Sequence, residues 1–118
     1  MINLNSLMIG SAQPKILARF YEKVFEKKPD MVDGDWYGWQ VGSCFFGLGH
    51  HSEVKGKTKE PGRMMFNLQT KKVKEEFERI KKIEGAEVIK EPYEMQGAWI
   101  ATFGDPDGNY FQLMTPWE

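Results

Sequence analysis

Phe103-Gly104-Asp105-Pro106-Asp107-Gly108-Asn109-Tyr110-Phe111-Gln112-Leu113-Met114-Thr115-Pro116 reads as strand, tight turn, strand. Pro106 presets a turn φ, Asp105 and Asp107 are placed to accept bonds from nearby backbone N–H groups, and Gly108 or Asn109 tolerates a positive φ. Beyond the turn, Phe111 and Leu113 alternate with Tyr110, Gln112 and Met114, so the two sets point to opposite faces of a sheet. Phe111 and Leu113 suit a core. Tyr110, Gln112 and Met114, amphipathic or flexible, suit the wall of a binding cavity.

Outward from this hairpin, the chain punctuates itself twice in the same way. Residues 2 to 10 alternate weakly, with Leu7 and Ile9 on one side, and predict a first strand. Pro14 fits the first position of a helix, and Gln13 would be its cap. Leu17, Phe20, Tyr21, Val24 and Phe25 recur at helical spacing until Pro29 approaches. Asp33-Gly34-Asp35 is a turn, and Trp36 to Val41 and Cys44 to His50 form a hairpin around Gly42-Ser43. Residues 51 to 62 are a polar, lysine-rich connection. Then strand Arg63 to Gln69, a helix over Lys71 to Glu84 capped by Thr70 and stopped by Gly85, a short strand Ala86 to Lys90 ending near Pro92, and Trp99 to Phe103 repeat the order. The pattern predicts an α+β fold made of two similar halves, about 1–52 and about 62–118 of a single domain, with helices on one face of each sheet.

The chain has 118 residues, enough for one domain with a real core. Lys and Arg total 16 against 17 Asp and Glu, a balance that favours neither nucleic acid nor an anionic membrane as partner. Cys44 is the only cysteine, which excludes an internal disulfide. No signal sequence is evident and no run is long enough to span a bilayer, so a cytoplasmic protein is expected.

The Asp-Pro-Asp-Gly-Asn hairpin, the first helix with Phe20-Tyr21-Glu22, and the second strand-helix unit ending in Gly85 together resemble the glyoxalase/bleomycin-resistance/extradiol-dioxygenase superfamily, or vicinal oxygen chelate proteins, over nearly the whole chain. The resemblance implies two βαβββ modules whose sheets curl around an open cup, helices on the outer faces. It also implies a homodimer, and in metal-using relatives a divalent cation held by His, Gln or Glu from several strands. Counted onto this sequence, those four positions fall at Ser6, Gly47, Arg63 (or Met64 on a one-residue slip) and Gln112. A hydroxyl, a hydrogen, a guanidinium and one amide oxygen are a poor donor set for such a cation, so no metal and no other cofactor is expected.

The remaining chemistry is sparse. His50 and His51 are adjacent and point to opposite faces of a strand, so exposed loop histidines are the simpler reading, although a distorted site with Glu53 stays open. Cys44 before Phe45 and Phe46 reads as a small core residue. No nucleophilic triad and no phosphate-cradling glycine loop is present. Aromatic residues are plentiful: Trp36, Tyr37 and Trp39 cannot all share one face, so at least one should line the cup, as should Tyr110; Trp99 and Trp117 lie at strand ends. The expected ligand-binding set is Ser6, Trp39, Arg63, Tyr110 and Gln112, suited to a small aromatic molecule with a carbonyl or anionic group. Two alternatives stand beside this binding protein: a lyase, isomerase or dioxygenase with a metal at a non-standard site, and a dimer whose cup is vestigial.

Overall fold

A computed structural model describes residues 1–116; the aromatic residue Trp117 lies outside them. The chain forms two compact units, Met1–Gly56 and the part from Lys57 onward. In the first, strand β1 (Ser6–Ser11) leads into helix α1 (Pro14–Phe25), then β2 (Met31–Asp33), β3 (Trp36–Val41) and β4 (Cys44–His50). In the second, β5 (Phe66–Gln69) leads into α2 (Val73–Ile80), then β6 (Glu87–Met95), β7 (Ala98–Gly104) and β8 (Tyr110–Met114). The sheet orders are β1-β4-β3-β2 and β5-β8-β7-β6, each with one parallel pair between its first and last strand and antiparallel pairs elsewhere. Two βαβββ modules of one topology are therefore present, each an open mixed sheet with a helix against it. Among the described residues no helix is long and apolar enough to cross a membrane.

Helix α1 begins at Pro14, as its missing N–H favours. Gln13 does not cap it through its side chain; its backbone N–H instead donates to Ser11 Oγ at 3.0 Å. The apolar stripe Leu17, Phe20, Tyr21 and Val24 is buried. Tyr21 and Phe25 meet the Phe46 ring, with centroids 4.7 and 5.1 Å apart. In the second unit Phe77 of α2 stacks on Phe103 at 5.1 Å, and Phe103 on Phe111 at 5.6 Å. These contacts fix which side of each sheet faces its helix. Pairing register then assigns every other strand residue, because directly paired residues share a face.

Four expectations are corrected. The strand expected from Arg63 begins only at Phe66, because Pro61-Gly62-Arg63 winds into a 3-10 turn. A short strand at Met31–Asp33 pairs across the Asp33-Gly34-Asp35 turn, too short and too exposed for alternation to reveal. Helix α2 is shorter than the sequence pattern, Val73–Ile80; Lys82, Ile83 and Ala86 N–H groups close single turns down to Gly85, which takes φ 97°. Strand β6 runs through Pro92 instead of stopping there. It lies at the sheet edge, and its register with β7 shifts between Val88 and Lys90 and again between Lys90 and Tyr93. An edge and an irregularity are where a sheet accommodates a residue without an N–H.

Candidate ligand-binding faces

The closing hairpin behaves as its residues require. Asp105 is 3% exposed. Its Oδ1 accepts the N–H groups of Asp107 and Asn109, both at 2.9 Å, and its Oδ2 accepts Asn109 Nδ2 at 3.0 Å. Gly108 takes φ 81°, and Asp105 N–H and Asn109 C=O close the turn at 2.9 Å. This rigid turn sets the register of β8 on β7: Phe111 opposite Phe103 and Leu113 opposite Ala101 on the helix side, Gln112 opposite Thr102 and Met114 opposite Ile100 on the other.

That other side is the open face of the second sheet. At its centre Gln112 Nε2 donates to Thr102 Oγ1 at 3.1 Å, and Asn67 pairs with Gln112 from β5. Next to them lies a hollow of about 270 Å³, walled by Met95, Ala98, Ile100 and Met114 and closed by Thr115 and Pro116. Tyr110 sits at the opposite end, beside Gly104. The bulge after Val88 turns Lys90 onto this face, opposite Thr102, with its ammonium 5.5 Å from the centre of the Tyr93 ring. Glu87 pairs with Gly104 at the far end of the same edge.

The open face of the first sheet is different. Its strands place Ser6, Met8 and Gly10, then Phe45, Gly47 and Gly49, then Trp36, Gly38 and Gln40 there, with Met31 and Asp33 at the edge. All four glycines of these strands fall on this side. A Cβ on Gly49 would run into the Trp36 indole, and one on Gly38 into the Phe45 ring. Both rings therefore lie down on bare backbone.

The expected site residues part company in these two frames. Ser6, Tyr110 and Gln112 lie on open faces. Trp39 does not: it is fully buried on the helix side, between Phe25 and Phe46, with its indole N–H donating to the Lys27 carbonyl at 2.9 Å. Arg63 is not on a strand; it is 72% exposed in the 3-10 turn and pairs with Glu60 at 2.9 Å. The cation on the second open face is Lys90, which the sequence reading passed over because it placed the strand's end there. The aromatic residues on the first open face are Trp36 and Phe45. Their signal was the Gly38, Gly47 and Gly49 pattern, which marks a floor without side chains.

Register also tests the metal set. Phe46-Gly47-Leu48 pairs with Leu7-Met8-Ile9 as Phe111-Gln112-Leu113 pairs with Phe66-Asn67-Leu68. The counterpart of Ser6 is therefore Met65, two residues before Asn67, and neither Arg63 nor Met64. Ser6 and Gly47 from one module, and Met65 and Gln112 from the other, offer a hydroxyl, nothing, a thioether and an amide. This set does not fit a divalent cation that wants imidazoles and carboxylates. No group of three His, Cys, Asp or Glu stands together among the described residues. His51 Nδ1 accepts the Glu53 N–H at 3.1 Å, a local loop contact, and both histidines are exposed.

Comparison with known proteins agrees with this topology. A glyoxalase-related enzyme from Fulvimarina pelagi superposes with a TM-score of 0.81 at 16% identity, over 98% of this chain and 89% of that one. A glyoxalase/bleomycin resistance protein/dioxygenase family enzyme from Burkholderia phytofirmans PsJN gives 0.78 at 21%, over 97% and 98%. The fosfomycin resistance protein FosX from Listeria monocytogenes gives 0.70 at 17%, over 99% and 93%. At such identities the likeness is one of fold. No curated protein sequence matches significantly. Residues 6–114 match the glyoxalase-like domain, which is nearly the whole chain, and the chain belongs to that family, within the vicinal oxygen chelate superfamily.

Proposed function

We propose that this protein binds a small molecule without a metal, and that the open face of the second sheet holds it. The carrying observation is the adjacency of an apolar hollow, walled by Met95, Ala98, Ile100 and Met114, to the Gln112–Thr102 pair. An apolar body with one polar end fits that arrangement. The hollow removes the body from water, while the Gln112 amide and the Lys90 ammonium meet a carbonyl or anionic group. Methionine walls adapt to shape, which suits a binder that tolerates related ligands. Tyr110 lies on this face and remains in the proposed set; Ser6 belongs to the open face of the other unit's sheet, and Trp39 and Arg63 lie on neither open face.

This reading needs no bond to be made or broken, and the donor set above gives no support to the metal-dependent lyase, isomerase or dioxygenase alternative. The protein would act as a homodimer in the cytoplasm. Native mass spectrometry of protein purified without chelators, paired with elemental analysis, tests all three parts together. The expected result is two chains, a retained organic mass, and no stoichiometric metal. Gln112→Ala should lose that mass. Stoichiometric Zn, Ni, Mn or Fe would overturn the reading.

A further inference from the structure

The tip of the β6–β7 hairpin runs against the preference of its own residues. Met95 pairs with Ala98, so Gln96 and Gly97 make the turn. Both take a positive φ, 52° and 83°, as a type I′ turn requires. Gly97 suits its place. Gln96 does not: that first position favours Asn, Asp or Gly, because a left-handed backbone crowds a Cβ against the following carbonyl oxygen. Asn and Asp offset the crowding through local bonds from a short polar side chain. The Gln96 amide, one methylene further out, bonds to no other described residue. Glu26, the other described non-glycine residue with a positive φ, ends helix α1, where a left-handed residue is ordinary. Nothing local explains Gln96 in the same way.

What Gln96 does line is the hollow of the second sheet, at its exposed lip, with Met95, Gly97 and Ala98 beside it and Ile100 and Met114 further in. Thr102, with Gln112 and Lys90 opposite it, stands further along the same strands. From Thr102 to Ala98 the strand β7 covers roughly 13 Å. Polar groups thus stand at both ends of an apolar trough, an amide and an ammonium at one and an amide at the other. We infer that Gln96 is a specificity-determining residue, and that the ligand is an elongated apolar chain with an anionic group at the Gln112 end and a hydrogen-bonding group at the Gln96 end. This rests on the binding function proposed above and adds the second polar end. Taking a hydroxyl out of water is costly unless a partner meets it, so an amide at the lip discriminates between two chains that differ only there. The unfavourable backbone at Gln96 is then stability given up for that discrimination.

The experiment titrates the intact protein calorimetrically with decanoate and with ω-hydroxydecanoate, which share the anionic end and the chain and differ at the far end. The parent should bind the hydroxylated chain roughly threefold more tightly, the size of a net neutral hydrogen bond. Gln96→Asn gives the turn its favoured Asn-Gly pair and withdraws the amide by one methylene; Gln96→Gly removes it. Gln96→Asn should melt a few degrees higher than the parent. Both variants should keep the affinity for decanoate and weaken ω-hydroxydecanoate roughly tenfold, which reverses the preference. A merely structural role for Gln96 would move the melting temperature and leave the preference where it was. Gln112→Ala should weaken both chains alike, which tests the underlying reading separately. If both chains bind and respond to Gln112→Ala while the Gln96 variants keep the parent's preference, the inference is overturned and the binding function stands. If neither chain binds saturably, both fall.

Discussion

The indole N–H of Trp39 donates to the backbone carbonyl of Lys27 at 2.9 Å, and this bond ties the chain leaving helix α1 to the middle of β3. The indole is fully buried. An aromatic residue with its polar atom satisfied by backbone in this way is fully committed to the fold. It has neither a free face nor a free donor for a ligand.

Trp39→Phe should therefore cost stability and leave binding alone. The phenyl ring keeps most of the packing on Phe25 and Phe46 but leaves a small cavity and strands the Lys27 carbonyl. The expected loss is about 2 kcal/mol, read from urea denaturation. Ligand affinity on either open face should be unchanged; a loss of binding with intact stability would return Trp39 to the site.

The closing turn should be one of the most sensitive surface features of the chain. Asp105 is nearly buried, and its carboxylate satisfies two backbone N–H groups and the Asn109 amide. Asp105→Ala would leave these donors without a partner, at about 3 kcal/mol, and loosen the register that puts Gln112 opposite Thr102. Asp105→Asn keeps one acceptor oxygen and should lose less. Thermal denaturation of the pair measures the difference; equal, negligible losses would show that the turn is held by its backbone alone.

The turn and helix residues made the module pattern legible, because a proline at a helix start, a glycine at its stop and an alternating strand act locally. What was illegible is informative. Lys90 reached the open face through a bulge, and a bulge inverts the alternation on which face assignment depends. Met65 replaced Arg63 as the counterpart of Ser6 because Pro61 wound the preceding residues into a 3-10 turn, shortening the strand. Trp39 and Trp36 are separated by an odd number of positions, so alternation put them on opposite faces, but only the packing of α1 showed which was inside.

Asp30 gives a pH-dependent test. A bond from the Lys27 ammonium, at 2.8 Å, and one from the Gln40 N–H, at 2.7 Å, hold its carboxyl below the ordinary aspartate value. A lowered folded value means that the stabilisation is present above the unfolded value and is lost as pH falls through the folded one. Asp30→Asn should then melt lower than the parent at neutral pH, with the two melting curves converging in strong acid. High salt should narrow the gap, since the pair is exposed. A gap that persists unchanged into strong acid would assign the effect to something other than this carboxylate.

Substitution at the centre of the second open face separates a weak metal site from none. Gln112→Glu places a carboxylate opposite Thr102, where the hydroxyl now receives the amide at 3.1 Å. If a single missing carboxylate were all that kept a cation away, zinc should bind this variant. The register argues otherwise: the other positions supply Ser6, Gly47 and Met65, and one carboxylate with a hydroxyl and a thioether falls short of the four N, S or carboxylate ligands that zinc ordinarily takes. Calorimetric titration of Gln112→Glu with zinc chloride should show no stoichiometric binding. The same substitution should weaken any anionic ligand by repulsion while sparing the fold. Stoichiometric zinc uptake by the variant would mean that ligands outside these four positions complete a site, and would restore the metal-dependent alternative.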